Sequence, residues 1–370
     1  MVFFLFITLT SFLTLAYATP LHDSTNASLL SAIKATSIIK PDDKTTQAND
    51  KPNTGNPVLV SQAGQTVSLN SNIPNTTKMG LYIGPGGIAR HQIFEQWLGK
   101  PIPYTTDYID YNGGWTKDFV DSEVWLTAPW GAWTNQKNGR LVLGVPMLEN
   151  ENYGQFAQGV RGDFDVYFRK LAEELVQNKL GDSIIRLGYE ANCDTIGPWQ
   201  ATNDPEGFRQ LFRHEVSIMR SVPGSSFMFD WTVCNGLQGG HNLNSYDSFY
   251  PGDDVVDIIG IDIYDVKWQD PGITPQARWD YILSRHMGVN DLSSFANNHN
   301  KPLSFPEWGL YRSGDNFAGG GDDTTFIRNM YYLINATNPV YQSYFDLDWG
   351  GGILSDFRQS EAVFKELFGT

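Results

Sequence analysis

The chain is poor in cysteine, poor in positive charge and, after its first eighteen residues, without a long apolar run. Only two of its 370 residues are cysteine, Cys193 and Cys234, too few for a disulfide scaffold. Against 41 acidic residues stand 26 basic ones, a formal charge of −15, which argues against nucleic acid, anionic membranes and polyanionic substrates as partners. A neutral partner suits it better. The chain has no Gly-x-Ser-x-Gly, which disfavours a serine esterase of the α/β-hydrolase kind. Gly84-Pro85-Gly86-Gly87 lacks the G-x-G-x-x-G spacing, and its proline removes an amide donor, so no phosphate-binding fingerprint follows the first strand-like run. His91 and His241 sit near glycines without a second His or Cys at metal spacing. Gly319-Gly320-Gly321-Asp322-Asp323 lacks the alternating oxygen ligands of an EF-hand. Neither a metal nor a cofactor is expected.

The N-terminal region carries its own signals. Residues Met1 to Ala18 contain no charged side chain, run apolar from Val2 to Leu15 and finish Ala16-Tyr17-Ala18, a small-x-small cleavage pattern. The run is shorter than the roughly 20 apolar residues of a spanning helix. A secretory signal peptide over residues 1–18 is expected, hence an extracellular protein without a membrane anchor in its mature form. From Thr19 to Thr77 the composition is Ser, Thr, Asn, Asp, Lys and Pro, and no aromatic occurs between Tyr17 and Tyr82. Such a segment cannot bury enough surface to offset its ordering entropy. It reads as a low-complexity linker with one short strand-like stretch from Pro57 to Leu69. Asn26, Asn75 and Asn335 head glycosylation sequons.

The remaining residues, 78–370, fit one domain. Strand-like runs at Met79 to Ile83, Thr106 to Asp110, Leu141 to Pro146, Ile184 to Gly188, Phe227 to Trp231, Ile258 to Ile263, Leu303 to Phe305 and Tyr344 to Leu347 alternate with amphipathic stretches. In Phe164 to Asn178 the apolar residues keep helical spacing; Glu206 to Arg220 is opened by Asp204-Pro205 as cap and first-turn proline. Eight strands in alternation with helices predict a single (β/α)₈ barrel of the α/β class.

Two of these strands end in glutamates. Ile185-Arg186-Leu187-Gly188-Tyr189-Glu190 and Pro302-Leu303-Ser304-Phe305-Pro306-Glu307 each break into small or polar residues beyond the carboxylate, as a barrel strand does when it delivers a side chain to the catalytic face. A protonated carboxyl facing an ionised one is the equipment for cutting a glycosidic bond. About 5 to 5.5 Å between them gives retention, and roughly 6.5 to 9.5 Å leaves room for a water and gives inversion. Glu190 needs desolvation to stay protonated, with Trp199 as a candidate wall, and Glu307 needs donors to stay ionised, with Tyr264 and Arg186 as candidates. Alternation places Arg186 beneath Glu190 in the barrel, where a buried guanidinium requires a carboxylate, Asp110, Asp262 or Glu307. Eleven tryptophans and seventeen tyrosines fit a sugar cleft, because pyranose faces pack on aromatic rings. Asp346 and Asp348 share a face of the last strand and are candidates for sugar hydroxyls or ion pairs.

The stretches RLGYEANCDTIGPW, YPGDDVVDIIGIDIYD and KPLSFPEWGL resemble glycoside hydrolase family 26, mostly β-mannanases, within the large clan of retaining barrel enzymes. The resemblance runs from about Lys78 to about Phe368. It implies that Glu190 is the acid/base, Glu307 the nucleophile, Tyr264 a hydrogen-bond donor to the nucleophile and Trp349 the floor of the central sugar subsite. Arg186, Tyr189, Asn192, Trp199 and Trp308 join them as expected sugar-site residues. Family mannanases usually carry a histidine before the acid/base, where this chain has Tyr189; a phenol still donates a hydrogen bond but cannot become cationic near neutral pH.

Cys193 and Cys234 lie just past consecutive strands about 4.8 Å apart, within the Cα separation a disulfide allows, so a bond pinning the loop after Glu190 is expected. The combined expectation is a monomeric, secreted, retaining β-glycanase acting inside a neutral β-1,4-linked polysaccharide such as mannan. A β-glucanase or xylanase of the same fold and a barrel that only binds carbohydrate are the alternatives.

Overall fold

The computed structural model describes residues 78–369 apart from 194–195, 237–242, 269, 271, 315–316 and 349–351. The expected signal peptide and linker, the strand-like stretch expected from Pro57 to Leu69, the sequons at Asn26 and Asn75, His241 and Trp349 lie outside these residues.

Eight parallel strands close into a barrel. They are β1 (Met79–Tyr82), β2 (Tyr104–Tyr108), β3 (Arg140–Val145), β4 (Ile184–Leu187), β5 (Met228–Cys234), β6 (Ile258–Tyr264), β7 (Leu303–Gly309) and β8 (Gln342–Phe345). Each pairs with its neighbours in sequence, and β8 returns to β1 through Met79↔Gln342 to Tyr82↔Phe345. This is the (β/α)₈ barrel expected from the alternation.

Two strands begin two residues earlier than hydrophobicity indicates. β2 enters the ladder at Tyr104 and β8 at Gln342; the polar residues gained in β8 bury at low cost because Ser343 bonds Thr106 at 2.8 Å and Gln342 bonds Trp308. Both strands therefore also end earlier, so that Tyr108 rather than Asp110 is the last residue of β2.

The helices cover the barrel with their apolar stripes. Helix α1 (Asp165–Gln177) buries Phe168, Leu171, Ala172 and Leu175, the i, i+3, i+4, i+7 set. Helix α2 (Pro205–Arg220) starts where Asp204 accepts from the Gly207 amide at 2.8 Å and Pro205 supplies a preset φ. It buries Phe208, Leu211, Phe212, Val216 and Met219; truncating Phe212 to alanine should cost about 3–5 kcal/mol. Asp323 caps helix α3 (Thr324–Thr337) through the Thr325 and Phe326 amides, and Asp322 accepts from the Gln359 and Ser360 amides at the start of helix α4 (Arg358–Phe368). The glycine-rich run before them is thus a capping loop. Asn335 lies within α3, its amide donating to the Tyr331 carbonyl.

Candidate active site

Glu307 owes its orientation to an irregularity in β7. On one side β7 pairs Gly260↔Ser304 and Ile263↔Trp308; on the other, Gln342↔Phe305 and Tyr344↔Trp308. Both registers give β7 one residue more than its partners, so it carries a bulge between Phe305 and Trp308. Ser304 faces the barrel, where its hydroxyl donates to Asp230 at 2.6 Å. A Cβ on Gly260 would meet that same hydroxyl and Pro306 Cγ, so Pro306 faces inward too. Strict alternation would then turn Glu307 outward. The bulge, at a proline with no amide to give the ladder, lets two successive residues face in and sends Trp308 out.

Three donors converge on the Glu307 carboxylate. Tyr108, from the end of β2, donates to Oε1 at 2.6 Å; Arg186, from β4, donates to Oε1 through Nη1 at 2.9 Å; Tyr264, from the end of β6, donates to Oε2 at 2.8 Å. Arg186 Nη1 also donates to the Tyr108 hydroxyl at 2.6 Å, its Nη2 to Asp262 at 2.6 Å and its Nε to Thr232 at 3.3 Å. The guanidinium is fully buried. Burial pulls its pKa down, but Asp262, Tyr108 and Glu307 outweigh that and hold it well above the ordinary value. Of the three partners open to it from sequence, Asp262 and Glu307 take it. Tyr108 was not anticipated, because a strand placed two residues late leaves it in mid-strand.

Glu190 sits in a turn rather than at the end of a regular strand. β4 stops at Leu187, and Gly188 and Glu190 both adopt left-handed φ, 55° and 54°. Glycine takes that conformation freely, whereas for glutamate it is strained and persists only where its surroundings impose it. Here the Glu190 amide donates to the Thr232 carbonyl at 2.9 Å and the Cys193 amide to the Glu190 carbonyl at 2.8 Å. A disulfide joins Cys193 to Cys234 at the end of β5, with a Cα separation of 6.4 Å. Burial, then the negative charge of Glu307, pushes the Glu190 carboxyl up to about 8, with Arg186 opposing. At neutral pH it therefore holds a proton, and Glu307 close by is met by donors.

A chain of ring contacts runs beside this pair. Tyr82 stands edge-on to Tyr108 at 4.8 Å, Tyr108 to Tyr189 at 5.4 Å, Tyr189 to Trp199 at 5.1 Å and Trp199 to Tyr111 at 5.2 Å. Phe345 connects Tyr82 to Tyr264. Tyr189 packs on the Arg186 guanidinium, 5.4 Å from its ring centroid.

Several residues expected at the sugar site are buried or committed to other contacts. Trp199 is fully buried and gives its indole N–H to the Tyr189 carbonyl at 2.8 Å; it props the ring before Glu190 and presents no free face. Trp308, turned outward by the bulge, is fully buried against Phe326, Tyr344 and Phe364 and bonds Gln342. Asn192 is buried with both ends of its amide on backbone, donating to the Cys234 and Gly236 carbonyls and accepting from the Cys234 amide. Asp346 accepts from the Leu354 amide and Asp348 pairs with Arg312. His91 is buried edge-on to Trp133.

The profile of the family described as Glycosyl hydrolase family 26 matches residues 166–282, a stretch that holds Arg186, Glu190 and Tyr264. The chain is glycoside hydrolase family 26-like. The family 26-like barrel is 28% identical over 170 residues to a β-1,3-xylanase from Alcaligenes sp, covering 45% of this chain and 30% of that protein. It is 26% identical over 215 residues to endoglucanase H from Acetivibrio thermocellus, covering 56% of this chain and 22% of that protein. The chain thus spans less than a third of the length of these curated relatives. Among solved structures, the modular endo-β-1,4-mannanase from Cellulomonas fimi superposes with a TM-score of 0.55 at 16% identity, covering 77% of this chain and 70% of that one. At that identity the likeness is one of fold. The profile match ends before Glu307, so the second carboxylate of the family 26-like barrel rests on its own geometry.

Proposed function

We propose that this chain is a secreted glycoside hydrolase that cleaves β-linked polysaccharide with retention of configuration, acting as an endo-β-1,4-mannanase. The observation that carries the proposal is the asymmetry of the two glutamates, one desolvated and protonated, the other bound by three donors. That is the division of labour between acid and nucleophile. In the first step Glu307 attacks the anomeric carbon while Glu190 passes its proton to the departing glycosidic oxygen. In the second, the Glu190 carboxylate takes a proton from water, which displaces Glu307 from the opposite face and restores the starting configuration. Among the described residues Oε1 accepts from Tyr108 and Arg186 and Oε2 from Tyr264, which favours Oε2 as the attacking oxygen. Secretion belongs to the same proposal, supported by the composition of residues 1–18 and by the disulfide. Among the described residues no helix is long and apolar enough to cross a membrane.

A second reading keeps the mechanism and changes the sugar to xylan or β-glucan. It is favoured by Tyr189 in the position where family mannanases usually have histidine, and by the xylanase and endoglucanase names of the curated relatives. A barrel that only binds carbohydrate is opposed by the presence of both carboxylates. Reducing-end release from mannan, glucomannan, lichenan, β-1,4- and β-1,3-xylan and carboxymethylcellulose decides between them. Release from mannan and glucomannan supports the first reading, release from xylan or lichenan alone supports the second, and none from any polymer contradicts both.

A further inference from the structure

The Cys193–Cys234 bridge lies against the Glu190 carboxyl as well as near it in sequence. A carboxylate oxygen of Glu190 and both sulfurs fall within 4.8 Å of one another. Such a trio resembles a metal cage, but sulfurs joined to each other offer no thiolate. They offer an apolar surface instead, and both cysteines are 2% exposed. The same bridge closes the turn that forces Glu190 into its left-handed conformation. Asn192 fastens that turn a second time to the end of β5 through Cys234 and Gly236. No other residue of the site is tied to its neighbouring strand by a covalent bond among the described residues.

We infer that the Cys193–Cys234 disulfide is a positioning element of the acid, holding the Glu190 carboxyl in a strained turn and keeping water from one side of it. The inference rests on the reading of Glu190 as the acid. Removing the bridge should act on proton delivery more than on sugar binding, because the rings and the Glu307 donors are held by other contacts. The groups that share the field of Glu190 are Arg186 from β4, Asp262 and Tyr264 from β6, Glu307 from β7, and Tyr111 and Tyr189. None of them is bonded to the disulfide, so their effect on Glu190 is common to both forms of the chain. A dithiol reductant would open the bridge by exchange, leaving two thiols on the protein and closing its own disulfide.

The test follows the carboxyl stretch of Glu190 by infrared difference spectroscopy against Glu190→Gln while pH is raised, in the full chain and in a Cys193→Ser, Cys234→Ser double variant. A Cys193→Ala, Cys234→Val pair keeps the volume if the serines do not fold, and dithiothreitol-treated chain gives a third comparison. The expected result in any bridge-free form that keeps its near-ultraviolet circular dichroism is a Glu190 midpoint lowered by about one pH unit. Cleavage of aryl glycosides with poor leaving groups should fall about tenfold, with little change for a dinitrophenyl glycoside that needs no acid. A bridge that only staples the fold would lower the melting temperature and leave both the midpoint and the leaving-group dependence as they were, which would overturn the inference. If the intact chain cleaved no glycoside, the functional reading would fall, and the infrared midpoint would still decide this one.

Discussion

Tyr108 donates its hydroxyl proton to Glu307 Oε1 at 2.6 Å while accepting from Arg186 at 2.6 Å. The phenol thus bridges the buried cation and the carboxylate it serves, and the two tyrosines, 108 and 264, grip opposite oxygens of Glu307. Tyr108→Phe and Tyr264→Phe should each keep the fold and lower turnover by roughly ten- to a hundredfold, about 1.4 to 2.7 kcal/mol on the barrier. Combined, they should cost other than the sum, since both act on one carboxylate. Steady-state kinetics on an aryl glycoside checks this; full activity in either single variant would reduce that tyrosine to packing.

The pH profile should show the acid. Glu190, pushed up to about 8 by burial and Glu307, delivers its proton only while protonated, so kcat/KM should fall as pH rises through about 8. The unaltered chain should show this limb on an aryl glycoside with a poor leaving group, and Glu190→Gln, slower on that substrate, should lose it. A limb that persists unchanged in the glutamine variant belongs to another group.

Much of this arrangement was legible in the chain, and the exceptions have physical causes. Strand-like runs mark all eight strands, most of them apolar because a barrel buried on its outer side needs them, and Arg186 in such a run demanded the acid partners it has. Period two cannot reveal a bulge. Counting from Ser304, alternation sends Glu307 outward and Trp308 inward, the reverse of what β7 does. Tyr108 was hidden because Tyr104 and Thr105, polar but paired in the ladder, begin β2 earlier than hydrophobicity indicates. Trp199 looks like a cleft ring only until its N–H is seen to be committed to the Tyr189 carbonyl.

Arg186 is also a stability element. Replacing it with methionine would leave Asp262 and Glu307 without their buried counter-charge, a change that costs about 3–5 kcal/mol. A melting temperature lower by on the order of 10 °C is expected for a domain of this size. An unchanged melting temperature would mean that the interior relaxes around the lost charge.

Elevated carboxyls also lie outside the Glu190–Glu307 pair. Glu149, buried after β3, is pushed up to about 8 by burial and then by Asp118. Its folded value lies above its ordinary one near 4.5, so the folded state binds the proton more tightly. That contribution is full below about 4.5, declines as pH rises, and is gone above about 8. Urea midpoints at acid and alkaline pH should therefore differ more in the unaltered chain than in Glu149→Gln. Equal differences would place the effect elsewhere.

The central claim is that Glu307 forms a covalent glycosyl intermediate which Glu190 first promotes and then helps to hydrolyse. Glu307→Ala should be nearly inactive on every substrate. Glu190→Ala should still accept an aryl glycoside with a good leaving group and stall at the intermediate, since it lacks the base for the second step. The most direct measurement is the NMR configuration of the product that Glu190→Ala forms with azide. The account predicts a glycosyl azide of retained β configuration, whereas an α-configured azide would contradict it.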